Sequence, residues 1–287
     1  MSVRRRLKEM LAKGETILAP GAYDPITARV VEDLGFPAVY MGGYMTGAHL
    51  TTTEPLTTLT EQVEAAAKVA RAVNIPLICD ADAGYGDPVH TMRCVREFEL
   101  AGVAAIHIED QVYPKRASYH QGREHTIPLD QFLEKIRYAL QARQDPDFLI
   151  FGRTDAFEAV GGSMDEAIAR GRELAKAGVD AIFPSGIYDR EGLQAFRAGV
   201  PDIPLMTLGG INYRQAERMR TLGYQVIAYA ITPIVTTVGA VREVYRTLKE
   251  TGAVPFDRDH FLELMRYVEG LIQLPAYYEI ESKTTER

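Results

Sequence analysis

Four times in this chain a helical stretch closes on a glycine and hands over to a short apolar run. Leu34-Gly35 precedes Ala38-Val39-Tyr40-Met41, and Ala101-Gly102 precedes Ala104-Ala105-Ile106-His107-Ile108. Ala177-Gly178 leads into Asp180-Ala181-Ile182-Phe183, and Leu222-Gly223 into Gln225-Val226-Ile227-Ala228. Glycine ends a helix because it adopts the left-handed backbone that other residues resist. An unbroken apolar run is how a strand covered on both faces reads, so the sheet is parallel with helices packed over it. Thr16 to Ala19, Leu77 to Asp80, Phe148 to Gly152 and Leu205 to Thr207 supply the remaining strands. About eight βα units predict a closed (β/α)8 TIM barrel, which a chain of 287 residues can form as one domain. A doubly wound open sheet is the alternative, but no Gly-x-Gly-x-x-Gly turn follows the first strand.

The ends of the chain extend this plan. Val3 to Lys13 reads as a short leading helix, with Arg4-Arg5-Arg6 and Lys8 on a solvated face. Thr237 to Thr251 reads as the helix after the last strand, and Phe256 to Tyr278 as one more. That extra helix carries Phe261, Leu262, Leu264, Met265, Val268 and Leu271. A barrel that has its helices does not need this apolar face. Residues 253–287 are therefore expected to form an arm that packs on a neighbouring subunit of a homo-oligomer, beside a barrel over residues 1–252. The net charge of −7 argues against a nucleic-acid surface. Lys8 and Glu9 interrupt the apolar run that a secretory signal would need, and no stretch is long enough to span a membrane, so the expected location is the cytoplasm. Cys79 and Cys94 lie in apolar settings and read as buried, reduced packing residues.

In a barrel of this kind the site lies at the C-terminal ends of the strands. Asp80 and Asp82 stand there, followed by Gly84-Tyr85-Gly86. Side chains two apart on a strand share a face, so these carboxylates are expected to converge. Converging carboxylates repel unless a cation lies between them, and magnesium suits a few carboxylates completed by water and substrate oxygens. Glu109, Arg153, Ser185 and Thr207 join them: acidic and small residues with one arginine, a metal-and-anion site. Asp24, before Pro25, and Asp155 are read as helix caps, and His107 as a hydrogen-bonded core histidine. The loop Tyr113 to His125 is long, basic and rich in groups that move protons, as a lid over an anionic substrate would be.

With these residues in place, the chain resembles the isocitrate lyase and phosphoenolpyruvate mutase superfamily, over nearly its whole length. The resemblance is carried by Gly21-Ala22-Tyr23-Asp24, by Asp80-Ala81-Asp82-Ala83-Gly84-Tyr85-Gly86, by Glu109-Asp110-Gln111 with Pro114-Lys115-Arg116, and by Arg153-Thr154-Asp155-Ala156. It implies a magnesium-dependent barrel, usually tetrameric, whose last helix is exchanged between neighbours. It further implies that Asp80, Asp82 and Glu109 form the metal shell, with Asp82 the direct ligand. Arg153 matches the arginine that binds substrate, and Lys115 stands in the lid. The backbone N–H groups of Gly42 and Gly43 hold the substrate carboxylate, with Tyr40 before them and Asp80 also in contact. Members make or consume pyruvate-like enolates, cleaving C–C or P–C bonds.

This chain departs from the lyase pattern at stated positions. The lid reads Lys115-Arg116-Ala117-Ser118-Tyr119, without the cysteine that protonates the departing carbanion in the lyases. Ser185 stands where the lyases place a glutamate, Thr207-Leu208-Gly209 where they place an asparagine, and Gly42 where they place a serine. Ile231 stands where the decarboxylase branch has a histidine. The expected activity is a magnesium-dependent lyase acting on a 2-hydroxy- or 2-oxo-dicarboxylate, with Tyr119, His120 or His125 replacing the thiol as acid. Phosphonate chemistry on the same platform is the second expectation, and a non-catalytic 2-oxo acid binder the third.

Overall fold

A computed structural model describes residues 1–117, 123–187, 189–210 and 216–284. The strands are β1 (Ile17–Pro20), β2 (Val39–Met41), β3 (Leu77–Asp80), β4 (Ala105–Glu109), β5 (Leu149–Thr154), β6 (Ala181–Pro184), β7 (Met206–Leu208) and β8 (Val226–Tyr229). All pairing is parallel, in the orders β2-β3-β4-β5-β6 and β1-β8-β7. Single bridges from Gly21 to Tyr40 and from Ile182 to Leu205 join the two sets, so the sheet closes on itself as a (β/α)8 TIM barrel. Gly35, Gly102, Gly178 and Gly223 all have positive φ, the backbone their place after a helix requires.

Alternation along the strands divides the core into two layers. Cys79, Ile106, Ile108, Ile150 and Ile182 point outward to the helices, where Phe98, Phe132, Phe148 and Phe196 are fully buried. The other face of β3, β4 and β5 carries Asp80, His107, Glu109, Phe151 and Arg153. Register sets Asp80 opposite His107, and Glu109 opposite Arg153. Parallel pairing thus brings acid and base side chains together at one end of the barrel.

Three local expectations are corrected. Arg4 is not on a solvated face: its Nε donates to the Val103 carbonyl at 2.8 Å, one terminal nitrogen reaches Asp145 at 2.9 Å, and the other donates to the Glu99 carbonyl. Its guanidinium also lies over the Phe148 ring. Asp82 does not share a strand face with Asp80, because β3 ends at Asp80 and Asp82 turns into left-handed backbone with φ 53°. The helix expected over 256–278 is two, Arg258–Leu271 and Leu274–Thr284, broken where Gln273 adopts φ 61°.

The chain divides into two compact units, Met1–Thr232 and Pro233–Arg287. The second begins ahead of the boundary read at residue 253. It takes in nearly all of the helix Thr232–Thr251, which has no buried residue and exposes Val235, Val238, Val241 and Tyr245. Among the described residues no helix is long and apolar enough to cross a membrane.

Candidate active site

The C-terminal end of the barrel holds the residues that alternation and register select. Glu109 is fully buried at the end of β4, and Arg153, one strand away on β5, forms an ion pair with it at 3.0 Å and stands 3.7 Å from Asp80. A layer below, the Tyr40 hydroxyl and Nε2 of His107 are 2.9 Å apart, while Nδ1 of His107 lies 3.7 Å from Asp80 and has no hydrogen-bond partner. His107 is thus the hydrogen-bonded core histidine expected. Burial pushes its imidazole down to about 4 against the pull of Asp80, so it is neutral at physiological pH.

Lys115 comes from the loop after β4 and is buried, with 2% of its side chain exposed. Its ammonium lies 2.5 Å from Glu54, 3.1 Å from Glu109 and 3.3 Å from Asp82. Burial alone would discharge it, but Glu109, Glu54, Asp82 and Asp80 outweigh that and hold it firmly protonated. Burial likewise raises Asp80, yet His107, Lys115 and Arg153 together keep its carboxyl below the usual range. Glu54 is a site residue that sequence reasoning missed. It comes from the turn Glu54–Leu56, and a Cβ on Gly43 would stand 2.6 Å from its side chain, so the glycine there makes room for it.

Arg153 is held from behind. Its Nε and one terminal nitrogen form a fork on Asp155 at 2.8 and 3.0 Å, and Asp155 also accepts from Gln111 at 2.5 Å. This corrects the capping role expected of Asp155: the next long helix, Met164–Ala177, is capped by Ser163, and the Asp155 side chain orients Arg153 instead. Asp110 in turn accepts from the Asp155 backbone at 2.9 Å, from Thr154 at 2.7 Å and from Arg170 at 3.1 Å.

A cavity of about 320 Å³ opens over these groups. Gly42, Gly43, Tyr40, Asp80, Lys115 and Arg153 line it. The Gly43 N–H points to Asp80 at 3.3 Å. Phe183, Leu208 and Ile231 make one wall apolar, while Glu124 and Glu158 add carboxylates that had not been singled out. Alternation and the ends of strands give no signal for Glu124 and Glu158, which both lie in loops. Tyr119 and His120, named as candidate acids, lie outside the described residues. His125 is described and exposed.

The family model for phosphoenolpyruvate phosphomutase matches residues 7–249. The chain belongs to this family. It is 36% identical over 281 residues to a probable 2-methylisocitrate lyase of Corynebacterium glutamicum, covering 96% of this chain and 89% of that protein. It is 38% identical over 255 residues to 2,3-dimethylmalate lyase of Eubacterium barkeri, covering 87% of each. Among solved structures, phosphonopyruvate hydrolase in complex with oxalate and Mg2+ superposes with a TM-score of 0.89 at 27% identity, covering 99% of this chain and all of that one. The phosphoenolpyruvate mutase and isocitrate lyase superfamily thus contains lyases close to this chain, and its barrel is the one found here.

The donor chemistry of the site suits a hard divalent cation of the kind present in that relative. Asp80, Asp82, Glu54 and Glu109 offer oxygen only, and both carboxylate oxygens of Glu109 are buried without a hydrogen bond. Among the described residues no three such side chains already form a closed cage. Magnesium, which keeps several waters, does not require one.

Proposed function

We propose that this protein is a magnesium-dependent carbon–carbon lyase that cleaves or decarboxylates a 2-hydroxy- or 2-oxo-dicarboxylic acid through a pyruvate enolate-like species. One observation carries the reading: two permanent cations that line the cavity, Lys115 and Arg153, converge on the buried Glu109 carboxylate. Three carboxylates are costly to hold together in a buried site unless their charge is used. The lyases related to this chain favour C–C chemistry.

The residues divide the work as follows. The N–H groups of Gly42 and Gly43 and the edge of Tyr40 receive the carboxylate beside the reacting carbonyl. Arg153, steered by Asp155, presents its remaining N–H groups to the oxygen on which negative charge grows when the C–C bond breaks. Lys115 keeps a positive charge beneath that oxygen. Magnesium, held by Asp80, Asp82 and Glu109, would supply Lewis-acid stabilisation of the enolate oxygen. The apolar wall of Phe183, Leu208 and Ile231 excludes water from the carbanion. The same reading includes a cytoplasmic homotetramer, supported by the apolar side chains that the second unit exposes.

Calorimetric titration with oxalate, a planar mimic of enolpyruvate, tests this directly. Oxalate is expected to bind with magnesium and to lose at least tenfold in affinity with EDTA. Pyruvate release from substituted malates and oxaloacetate then identifies the substrate. Phosphorus NMR on phosphonopyruvate checks the P–C alternative, which the resemblance to phosphonopyruvate hydrolase keeps in view. Failure to bind oxalate under either condition overturns the enolate reading.

A further inference from the structure

Cleavage of a C–C bond leaves an electron pair on carbon that must take up a proton, and the lid cysteine expected to give that proton in the lyases is absent here. The described cavity residues include few that could give up a proton in its place. Lys115 is locked in its charged form by three carboxylates, and an arginine does not deprotonate. The Tyr40 hydroxyl is occupied by His107, and burial together with Asp80 raises its phenol well above the usual range. Glu54 is committed to Lys115.

Glu124 is placed differently. The segment that carries it returns antiparallel beside the end of β4: the Val112 N–H donates to the His125 carbonyl at 2.8 Å, and the Ile127 N–H to the Asp110 carbonyl at 2.8 Å. From the other side, the Val160 N–H donates to the carbonyl of Glu124 itself at 3.0 Å. The residue is thus clamped between the loops that follow β4 and β5, with its side chain on the wall of the cavity that Arg153 and Asp80 also line.

We propose that Glu124 is the catalytic acid of this site. It rests on the enolate reading above. In the step, the substrate C–C bond breaks and its electron pair passes to the carbon or the enolate derived from it. The O–H bond of Glu124 breaks and its proton forms the new C–H bond. Glu124 is left as a carboxylate and regains a proton from solvent at the cavity mouth. With a 2-hydroxy acid the hydroxyl proton leaves to the same solvent, so no net proton is consumed. With decarboxylation one is taken up.

The surroundings suit the role. Half-burial, together with Asp155 and Glu158, pushes the Glu124 carboxyl up to about 7 against the opposing pull of Arg153 and Lys115. An acid with that value is partly protonated at neutral pH and transfers its proton readily, which is where general acids work best. A group active when protonated loses function as pH rises through its pKa, so activity is expected to fall above pH 7.

The test compares the wild type with Glu124→Gln and Glu124→Asp from pH 5.5 to 9, following pyruvate release and, in parallel, calorimetric binding of oxalate. Glu124→Gln is expected to lower kcat by about 100-fold or more, within the range general acids supply. It should keep oxalate affinity within threefold and lose the fall in activity above pH 7. Glu124→Asp is expected to restore part of the rate with a shifted limb. Turnover by Glu124→Gln within threefold of wild type, or an unaltered pH limb, overturns the assignment. If oxalate binds but none of the acids is cleaved, the lyase reading fails separately, and deuterium uptake at the methyl group of pyruvate decides on Glu124. Uptake abolished in Glu124→Gln supports it; uptake undiminished there, or absent in the wild type, overturns it.

Discussion

Charged networks close both ends of this barrel, and they are built to opposite rules. At the N-terminal end, Arg4 spreads its guanidinium over two carbonyls and Asp145, while Glu99 accepts the Gln144 N–H at 3.0 Å and also that of Asp145. Asp180 accepts from Arg143 and from the Ile150 N–H, both at 2.8 Å. Every carboxylate named there is used up by the fold. At the C-terminal end, both oxygens of Glu109, Nδ1 of His107 and Oε1 of Gln111 are buried without hydrogen bonds. Four of the seven such atoms among the described residues therefore belong to three residues of β4 and the loop after it; at the other end Arg6 Nε is one exception. Buried polar atoms without a hydrogen bond cost stability, and at Glu109 only the ion pairs to Lys115 and Arg153 offset that cost, so their concentration at one end marks where a ligand completes the set.

The comparison breaks most decisively at Arg153. Replacing it with lysine keeps the charge that balances Glu109 and Asp155 but loses the planar fork on Asp155 and the reach toward substrate. Turnover is expected to fall by roughly 100- to 1,000-fold, since removing one preorganised donor to an oxyanion costs on that order. Thermal unfolding should shift little. A rate within threefold of wild type, measured as pyruvate release at saturating magnesium, would remove Arg153 from the chemistry.

Arg4 supplies the opposite case. Arg4→Met keeps the packing over Phe148 but strips the ion pair with Asp145 and the bonds to two carbonyls, so a loss of about 1–2 kcal/mol in stability is expected, with kcat unchanged within twofold. The effect carries a pH signature. The hydrogen bond from Arg4 holds the Asp145 carboxyl below its ordinary range. A depressed carboxyl stabilises above its unfolded pKa and loses that contribution as pH falls through its folded value. Urea titrations of the two proteins are therefore expected to differ at pH 7 and to converge on acidification. A constant difference down to pH 3 would mean that Arg4 acts through its bonds to the Val103 and Glu99 carbonyls and not through Asp145.

The contrast also shows what a linear reading can and cannot reach. The eight strands were legible because a strand covered on both faces leaves an unbroken apolar run. Asp80, Glu109 and Arg153 were legible because alternation and the strand ends single them out. Glu54 was not, since it enters the site through the missing Cβ of Gly43, a contact between segments that spacing does not record. Asp82 was found for an incomplete reason: its i+2 spacing suggests a strand face, yet the backbone turns left-handed and delivers it to Lys115 from a loop. At Asp155 a local rule for helix starts lost to an arginine two residues earlier. Arg4 was misassigned because a basic cluster near a terminus reads as solvated until a barrel floor comes to meet it.

Asp24 offers the finest test, because it is a carboxylate at the active-site end that follows the other end's rule. It precedes Pro25 and closes a capping box with Thr27, accepting the Thr27 N–H at 2.8 Å while the threonine hydroxyl faces back toward the Asp24 backbone. The cap was legible because Asp before Pro is how a helix begins. If location alone made a carboxylate functional, Asp24→Ala would impair turnover. If saturation of its bonds is what separates the two ends, the substitution costs only the cap, about 1 kcal/mol. It should then leave kcat and oxalate affinity within twofold of wild type. A tenfold loss of turnover without loss of stability would show that open and closed networks are intermixed at this end of the barrel.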